Sequence, residues 1–410
     1  MSKIIVIGAG AAGMLAAGRA AEDAEKVILI EQNSFFGKKL RITGKGRCNI
    51  TNAAEIEDMI NMYPTNSKFL YSALYTFTND DIVSLLNQYG VETKVERGGR
   101  VFPVSDKAED VVGALRKYAL KNNVTSVTGR VSEILISDGV VTGVKVGEKK
   151  LNADKVIVCT GGISYPQTGS TGDGYRFAKS AGHTIREAEA SLVPIVTEEV
   201  WVKEVMGLSL KNIEVSAYNS KGKKIYTDFG EMLFTHFGVS GPVILSMSAH
   251  LKNIKNENYK LMIDLKPALS EEQLDNRLIR DFEKYHKKHL INSLDDLLPK
   301  ALIPIVIKQS GLDEHKAVCD ITRAERGALV NALKGMSLTL KSFRPVSEAI
   351  VTSGGVKVNE INPSTMESKL VKGLYFAGEV IDVDGYTGGF NLQAAFSTGY
   401  LAGMSAANEI

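Results

Sequence analysis

Ile4-Ile5-Val6-Ile7-Gly8-Ala9-Gly10-Ala11-Ala12-Gly13 is the stretch that decides the fold of this chain. Ile4–Ile7 is a short run of branched residues, the pattern of a strand covered on both faces. Met14-Leu15-Ala16-Ala17 continues as a helix. Between them each glycine has a physical task. Gly8 permits the tight turn, Gly10 lets a pyrophosphate approach the backbone, and Gly13 lets helix and strand pack closely. The helix N-terminus adds unpaired N–H groups and the positive end of its dipole. Gly8, Gly10, Ala12 and Gly13 are therefore assigned to a pyrophosphate. A lone G-x-G-x-x-G says little. Here a second apolar run, Val27–Ile30, ends in Glu31, close to the ~20-residue spacing of dinucleotide-binding units. A carboxylate there accepts both hydroxyls of an adenosine ribose, and an acid in place of an arginine favours a ribose without a 2′-phosphate. Gln32 is grouped with the same site. The block leaves the choice between FAD and NAD open.

Composition narrows the class. The chain has 410 residues, enough for two or three domains on the prior of roughly 100–200 residues each. Its 49 Lys and Arg against 47 Asp and Glu leave a net charge of +2, which offers no sequence-wide field for nucleic acid. The expected partner is a small-molecule substrate, with no nucleic acid and with the oligomeric state left open. Three cysteines without a Cys-x-x-Cys pair exclude a disulfide framework and a redox dithiol. No run of ~18 apolar residues suggests a membrane span, no signal peptide is recognisable, and the expected location is cytoplasmic. No His/Cys/Asp spacing suggests a metal site.

Further along, residues 37–52 are basic and rich in glycine, hydroxyls and amides, suited to wrapping a polyanion. Residues 68–89 read as two amphipathic helices with Asn79 or Asp80 as a cap, and residues 108–120 as another helix. Strands are expected at 124–131, 139–146 and 155–159, with Asp138-Gly139 as a hairpin turn. The last strand runs into Thr160-Gly161-Gly162, small residues over which a cofactor can pass. Gly172 and Asp173 open a further helix. From Leu192 strands alternate (213–218, 224–228, 232–235, 261–265), residues 270–335 are helical, and 349–358 and 374–377 return to strands. A helix from Leu392 to Ala407 closes the chain. The order implies an α/β fold: a Rossmann-type nucleotide-binding domain, 1–191 and 341–410, split by an insertion, 192–340. The insertion divides into a β-rich part (192–268) and a helical part (269–340), and carries no second strand–GxGxxG–helix unit.

Six blocks, Leu40 to Asn52, Gly99 to Pro103, Thr160 to Tyr175, Gly230 to Pro242, Val351 to Val356 and Gly378 to Gln393, resemble the BaiN-like (or YhiN-like) FAD-dependent oxidoreductases over essentially the whole chain. That resemblance implies non-covalent FAD, a Rossmann-type FAD-binding domain and an inserted substrate domain of β-barrel and helical parts. It also implies either of two chemistries: NAD(P)H-driven reduction of a steroid- or bile-acid-like enone, or oxidation of a small amine such as aminoacetone. A flavin-dependent RNA-modifying or regulatory protein is a third reading. NADH or NADPH would act from a transient surface site.

On this footing Val131 brackets the adenine through its backbone, Lys38 and Lys39 lie near the phosphates or ribose, and Thr160, Gly161 and Gly162 run beside the cofactor. Arg47, Cys48, Asn49 and Thr51 fall at the isoalloxazine side. Gly378 ends a buried strand, and in related flavoproteins an acid there holds a ribityl hydroxyl or a phosphate-side water, which selects Glu379 and Asp382. Gly389, Phe390, Asn391, Leu392 and Gln393 open the final helix, whose dipole would stabilise the anion of a reduced flavin. Tyr165, Tyr386 and His236 are the candidate catalytic groups.

Overall fold

A computed structural model describes residues 2–251 and 253–408. The chain divides into two compact units, Met1–Ser191 with Val346–Ile410, and Leu192–Pro345.

The first unit is built on a five-stranded parallel sheet in the order Leu374–Phe376, Lys155–Val158, Lys3–Ile7, Lys26–Glu31, Val124–Thr128. Ile4 to Val6, Val156 to Val158 and Leu374 and Phe376 are completely buried, as a sheet covered on both faces requires. Each such branched or aromatic side chain contributes ~1.5–3 kcal/mol. Helix Ala11–Ala20 and the closing helix Phe390–Ala407 pack tightly together. A Cβ on Gly399 or Gly403 would stand 2.3 or 2.4 Å from the carbonyl oxygens of Ala12 and Ala16. Because all five strands run parallel, their carboxyl ends share one edge, and the glycine loop emerges at its centre.

Local reasons explain where the sequence reading and the structure part. Residues 124–131 are not one strand: Val124–Thr128 belongs to the parallel sheet, and Val131 opens a separate antiparallel meander, Val131–Ser137, Val140–Val146, Lys149–Asn152. The Asp138-Gly139 turn is as expected, both residues having positive φ. The cap of helix Asn79–Gln88 is Thr78, not Asn79 or Asp80. Its hydroxyl accepts from the Asp81 N–H at 3.2 Å while the Asp81 carboxylate accepts from the Thr78 N–H at 2.7 Å, a reciprocal box. Asn79 instead donates to the carbonyls of Asn52 and Ala54.

The second unit contains a closed antiparallel barrel of six strands, in the order Ile195–Thr197, Gly238–Ser240, Lys224–Phe234, Ser209–Tyr218, Tyr259–Asp264, Met336–Phe343. Residues 224–228 and 232–235 form one continuous strand. Gly230 is no break: a Cβ there would come within 2.7 Å of the Val243 side chain, so the glycine makes room for helix Pro242–Ser248. Three longer helices follow, Glu271–Lys284, Ile303–Ser310 and Arg323–Lys334. The helical stretch ends at Lys334, and the last barrel strand runs past residue 340. Among the described residues no helix is long and apolar enough to cross a membrane.

Candidate cofactor site

The glycine loop has the shape its sequence implies. Gly8 has φ +100°, and a Cβ on it would lie 2.5 Å from the Cys159 carbonyl oxygen. A Cβ on Gly13 would lie 1.8 Å from the Gly8 carbonyl oxygen. Gly10 differs: nothing stands within 4 Å of a Cβ built there. It is the N-cap of helix Ala11–Ala20 and no side chain caps that helix. Two glycines thus hold the turn closed and the third leaves its approach clear, the arrangement a pyrophosphate needs.

Glu31 locks the loop to the neighbouring strand. One carboxylate oxygen accepts from the Ala9 N–H at 2.7 Å, and the other from the backbone and side-chain nitrogens of Asn33, each at 2.8 Å. Gln32 and Asn33 donate to the carbonyls of Gly169 and Thr168, tying the 165–172 loop to the same strand end. Val131 is buried at the head of its meander, and its neighbour Arg130 grips Asp173 with two bonds of 2.8 Å. Arg130, and then Arg176, hold the Asp173 carboxyl below the usual carboxylate range despite partial burial. Gly172, with φ +80°, is the uncapped start of helix Asp173–Ser180.

The edge formed by Thr160, Gly161, Gly162 and Gly378 carries a network that the sequence reading only partly foresaw. Lys39 Nζ donates to Glu379 Oε2 and Ser164 Oγ, both at 2.6 Å. Glu379 Oε1 accepts from Ser164 Oγ at 3.0 Å and from the Thr352 N–H at 2.9 Å. Thr352 Oγ1 in turn accepts from the N–H groups of Ile163 and Ser164. Burial alone would raise the Glu379 pKa, but the Lys39 ammonium and these donors outweigh it and hold the carboxyl low. Ser164 and Thr352 lie inside the quoted blocks, but nothing in their spacing announced a shared carboxylate 215 and 27 residues away, respectively. Lys38 instead donates to Asn33 at 3.5 Å and lies 6.0 Å over the Phe35 ring.

At the opposite side, Gly389 caps the closing helix with φ +104°, and no side chain caps it. A Cβ on Gly389 would stand 2.3 Å from the Thr51 carbonyl oxygen. Several side chains expected at the flavin are committed inside the protein. Thr51 Oγ1 donates to Gln393 Oε1 at 2.6 Å, and Gln393 Nε2 donates to the Phe77 carbonyl. Asn391 clasps the backbone of Gly385 from both sides. Asn49, with its amide turned to match its neighbours, accepts from the Gly389 N–H at 3.0 Å. Cys48 is wholly buried, and burial pushes its thiol up to about 12. A thiol so placed does not supply a thiolate. Arg47 turns outward to Glu96 and Asp106 and stacks 4.1 Å over the Phe102 ring. Phe390 is buried edge-on to Tyr63, and Leu392 is half-buried in the first turn.

Among the described residues, the buried Thr160 Oγ1 and Asp382 Oδ1 make no hydrogen bond. Asp382 also accepts from Asn66, at 3.0 Å, and its neighbour Asp384 accepts from Ser191 at 2.7 Å. Burial raises Asp384 above the usual carboxylate range. Of the candidate catalytic groups, Tyr165 is half-buried at φ +50°, its hydroxyl pKa raised by burial and by Glu348. Tyr386 is half-buried on the loop clasped by Asn391. His236 belongs to the second unit, exposed on a barrel turn with its ring 5.0 Å from that of Phe237.

The HI0933-like protein Rossmann domain matches residues 2–405. The chain belongs to the HI0933-like family. It is 32% identical to the 3-dehydro-bile acid delta(4,6)-reductase of Clostridium scindens, over 100% of both proteins. It is also 32% identical to the ribosomal RNA dihydrouridine synthase of Haemophilus influenzae, over 100% of this chain and 99% of that one. The ribosomal RNA dihydrouridine synthase of Escherichia coli matches at 31%, over 97% and 96%. Among solved structures, the 3-ketosteroid delta1-dehydrogenase of Sterolibacterium denitrificans superposes with a TM-score of 0.55 at 13% identity, over 99% of each chain. The fold is thus shared far outside the family. This HI0933-like chain is a flavoprotein oxidoreductase, BaiN-like, with a Rossmann-type FAD-binding unit.

Proposed function

We propose that this HI0933-like chain reduces a carbon–carbon double bond conjugated to a carbonyl, with NADH or NADPH as the electron source. The observation that carries the reading is the chemistry shared by its relatives. A Δ4,6 double-bond system beside a 3-oxo group and the C5=C6 bond of uracil beside its C4 carbonyl are the same electronic problem. Each accepts hydride at the far carbon and a proton at the near one, while negative charge gathers on the carbonyl oxygen. A steroid-like enone and a uracil base are thus two members of one substrate class, and the Haemophilus and Escherichia relatives favour the second as much as the Clostridium relative favours the first.

FAD, when bound, would supply the hydride, and the chain's own groups would hold the cofactor in place. Gly8, Gly10 and Gly13 would cradle the pyrophosphate, Glu31 the ribose, and the Lys39–Glu379–Ser164 network the segment between phosphates and ring. The uncapped helix start at Gly389 would present N–H groups and a positive dipole end to negative charge gathering at the ring edge. Tyr165 and Tyr386 are the candidate proton donors.

An anaerobic mix of the purified flavoprotein with NADH or NADPH, followed by the oxidised flavin band near ~450 nm, tests the reading. Rapid bleaching, reversed by a 3-oxo-Δ4 steroid or by a uridine substrate, is the expected result. Bleaching by a primary amine alone, with neither nicotinamide effective, would replace the reductase with an oxidase.

A further inference from the structure

Beside the uncapped helix at Gly389 lies a small antiparallel sheet, Thr51–Asn52, Arg100–Pro103 and Thr93–Glu96. It and its flanking turns carry Lys45, Arg47, Lys94, Arg97, Arg100 and Lys107. Arg47 and Lys94 are answered by Glu96 and Asp106. Lys45, Arg97, Arg100 and Lys107 are exposed and make no ion pair among the described residues. We propose that this sheet is a docking surface for the phosphate backbone of an RNA, with these four side chains as the phosphate contacts. The proposal rests on the reading that the site saturates a carbonyl-conjugated double bond, which in an RNA is that of a uracil.

The geometry supports a built surface. Arg47 and Arg100 both lie over the ring of Phe102, at 4.1 and 5.9 Å, so one aromatic plate orders two guanidinium groups. Arg100 also donates from Nε to the Arg97 carbonyl at 3.0 Å, which leaves its terminal nitrogens facing outward. Lys45 is held out on a left-handed turn, φ +60°, whose neighbour Gly44 packs against Phe102. In register, Arg100 is the strand partner of Asn52, and Asn52 donates to the carbonyl of Gly388, one residue before the helix start. Arg100 therefore stands one strand pair from the candidate ring edge, where nucleotides flanking a reacting base would lie. The single carboxylate of a bile-acid-like enone cannot answer four separate cations, but a polyanion gains affinity from such an array by releasing counterions. The exposed apolar side chains here are Ile42, Val95 and Val104, three aliphatic groups with no aromatic among them to anchor the sheet in a bilayer.

The test is binding of a fluorescent, uridine-containing single-stranded RNA of about 20 nucleotides to the FAD-loaded protein across a salt series. In the variant Lys45→Glu, Arg97→Glu, Arg100→Glu, affinity should fall at least about tenfold. The slope of log affinity against log salt should shrink by about two, at ~0.7 per lost contact. Flavin content should stay unchanged. A second variant, Lys287→Glu with Lys300→Glu on the other unit, should bind as the unaltered protein does. Unchanged affinity and slope in the triple variant, no RNA binding by the unaltered protein, or tighter binding of phosphatidylglycerol vesicles than of RNA through the same residues would each overturn the proposal. Loss of RNA binding in the triple variant, in a protein that saturates no double bond, would leave the docking surface standing and sink the reductase reading. Equal reduction of uridine in RNA by triple variant and unaltered protein would do the reverse.

Discussion

Helices with a capping box and helices that open on a bare glycine both occur in this molecule. The second unit has one of the latter too, Pro242–Ser248 on Gly241, but it packs on an antiparallel barrel strand rather than at the edge of a parallel sheet. In the second unit, helix Glu271–Lys284 opens on Ser270 and helix Arg323–Lys334 on Thr322. Each hydroxyl accepts from the N–H three residues on, and Gln273 or Glu325 reaches back to the cap N–H, so the helix satisfies its own first turn. In the first unit, helices Ala11–Ala20, Asp173–Ser180 and Phe390–Ala407 open on Gly10, Gly172 and Gly389, with no side-chain cap. Their first-turn donors are left for something else. Thr78 shows that the first unit also closes a helix where it serves only to stand. We read an uncapped glycine start at the carboxyl edge of the parallel sheet as the mark of a ligand-facing helix.

The hardest way to break this contrast is Gly13→Ala. Its Cβ would overlap the Gly8 carbonyl, so the loop itself must shift, at roughly 3 kcal/mol or more. Purified protein should be colourless, and the first unit should melt several degrees lower. A yellow protein of normal stability would show that the loop is not the nucleotide cradle.

Gly10→Asp is the sharper cut. Space and a φ of −83° allow the side chain, which would cap the helix as Ser270 caps its own. An anion now sits where the pyrophosphate would bind, so FAD affinity should fall at least about a hundredfold. Stability of the FAD-free protein should hold or rise, as read by calorimetry. Undiminished flavin binding would refute the reading of an uncapped start.

Lys39→Met tests the charge that replaces a cap near Gly378. Glu379 titrates below its ordinary value of 4.5, so its stabilising contribution is present above about pH 4.5 and is lost as pH falls through the lower folded value. Without Lys39, burial acts on Glu379 with less opposition. The variant should be less stable at pH 7, and the gap should close toward pH 3 in melting curves. A gap that does not vary with pH would detach the lysine from the carboxylate.

Thr322→Ala should be the mildest, about 1 kcal/mol or roughly 2–4 °C in the melting of the second unit. Flavin content should not change. A loss of flavin would show that the capped helices serve the cofactor too.

Much of this was legible in the residues. Ile4 to Gly13 announces strand, turn and helix because sterics leave few alternatives at that spacing, and Glu31 follows from the length of one βαβ turn. The strands of the second unit were legible as alternation, but a barrel was implied only by the family resemblance. The strand that completes it, Met336–Phe343, lay largely in the stretch read as helical. What escaped was long-range. Gln393, Thr51 and Asn391 look like ligand-binding polar groups beside glycines, but their partners, Phe77 and Gly385, are set by packing that no local pattern encodes. Arg47 sat in a loop read as wrapping one anion. The loop's cations in fact diverge, Lys39 inward to Glu379 and Arg47 outward to Glu96 and Asp106. A net charge of +2 for the whole chain likewise concealed a local surplus on one small sheet.

The strands Ile185–Ser191 and Val351–Val356 pair with each other, one leaving the first unit and the other returning to it. This imposes an order on birth at the ribosome. The second unit is contiguous and can fold as soon as residue 345 emerges, whereas the first 191 residues must wait with their sheet missing the edge strand Leu374–Phe376 and the helix that covers it. Cofactor capture thus belongs to the last moments of synthesis, and a nascent chain halted before Gly389 exposes an apolar sheet face that a chaperone must shield.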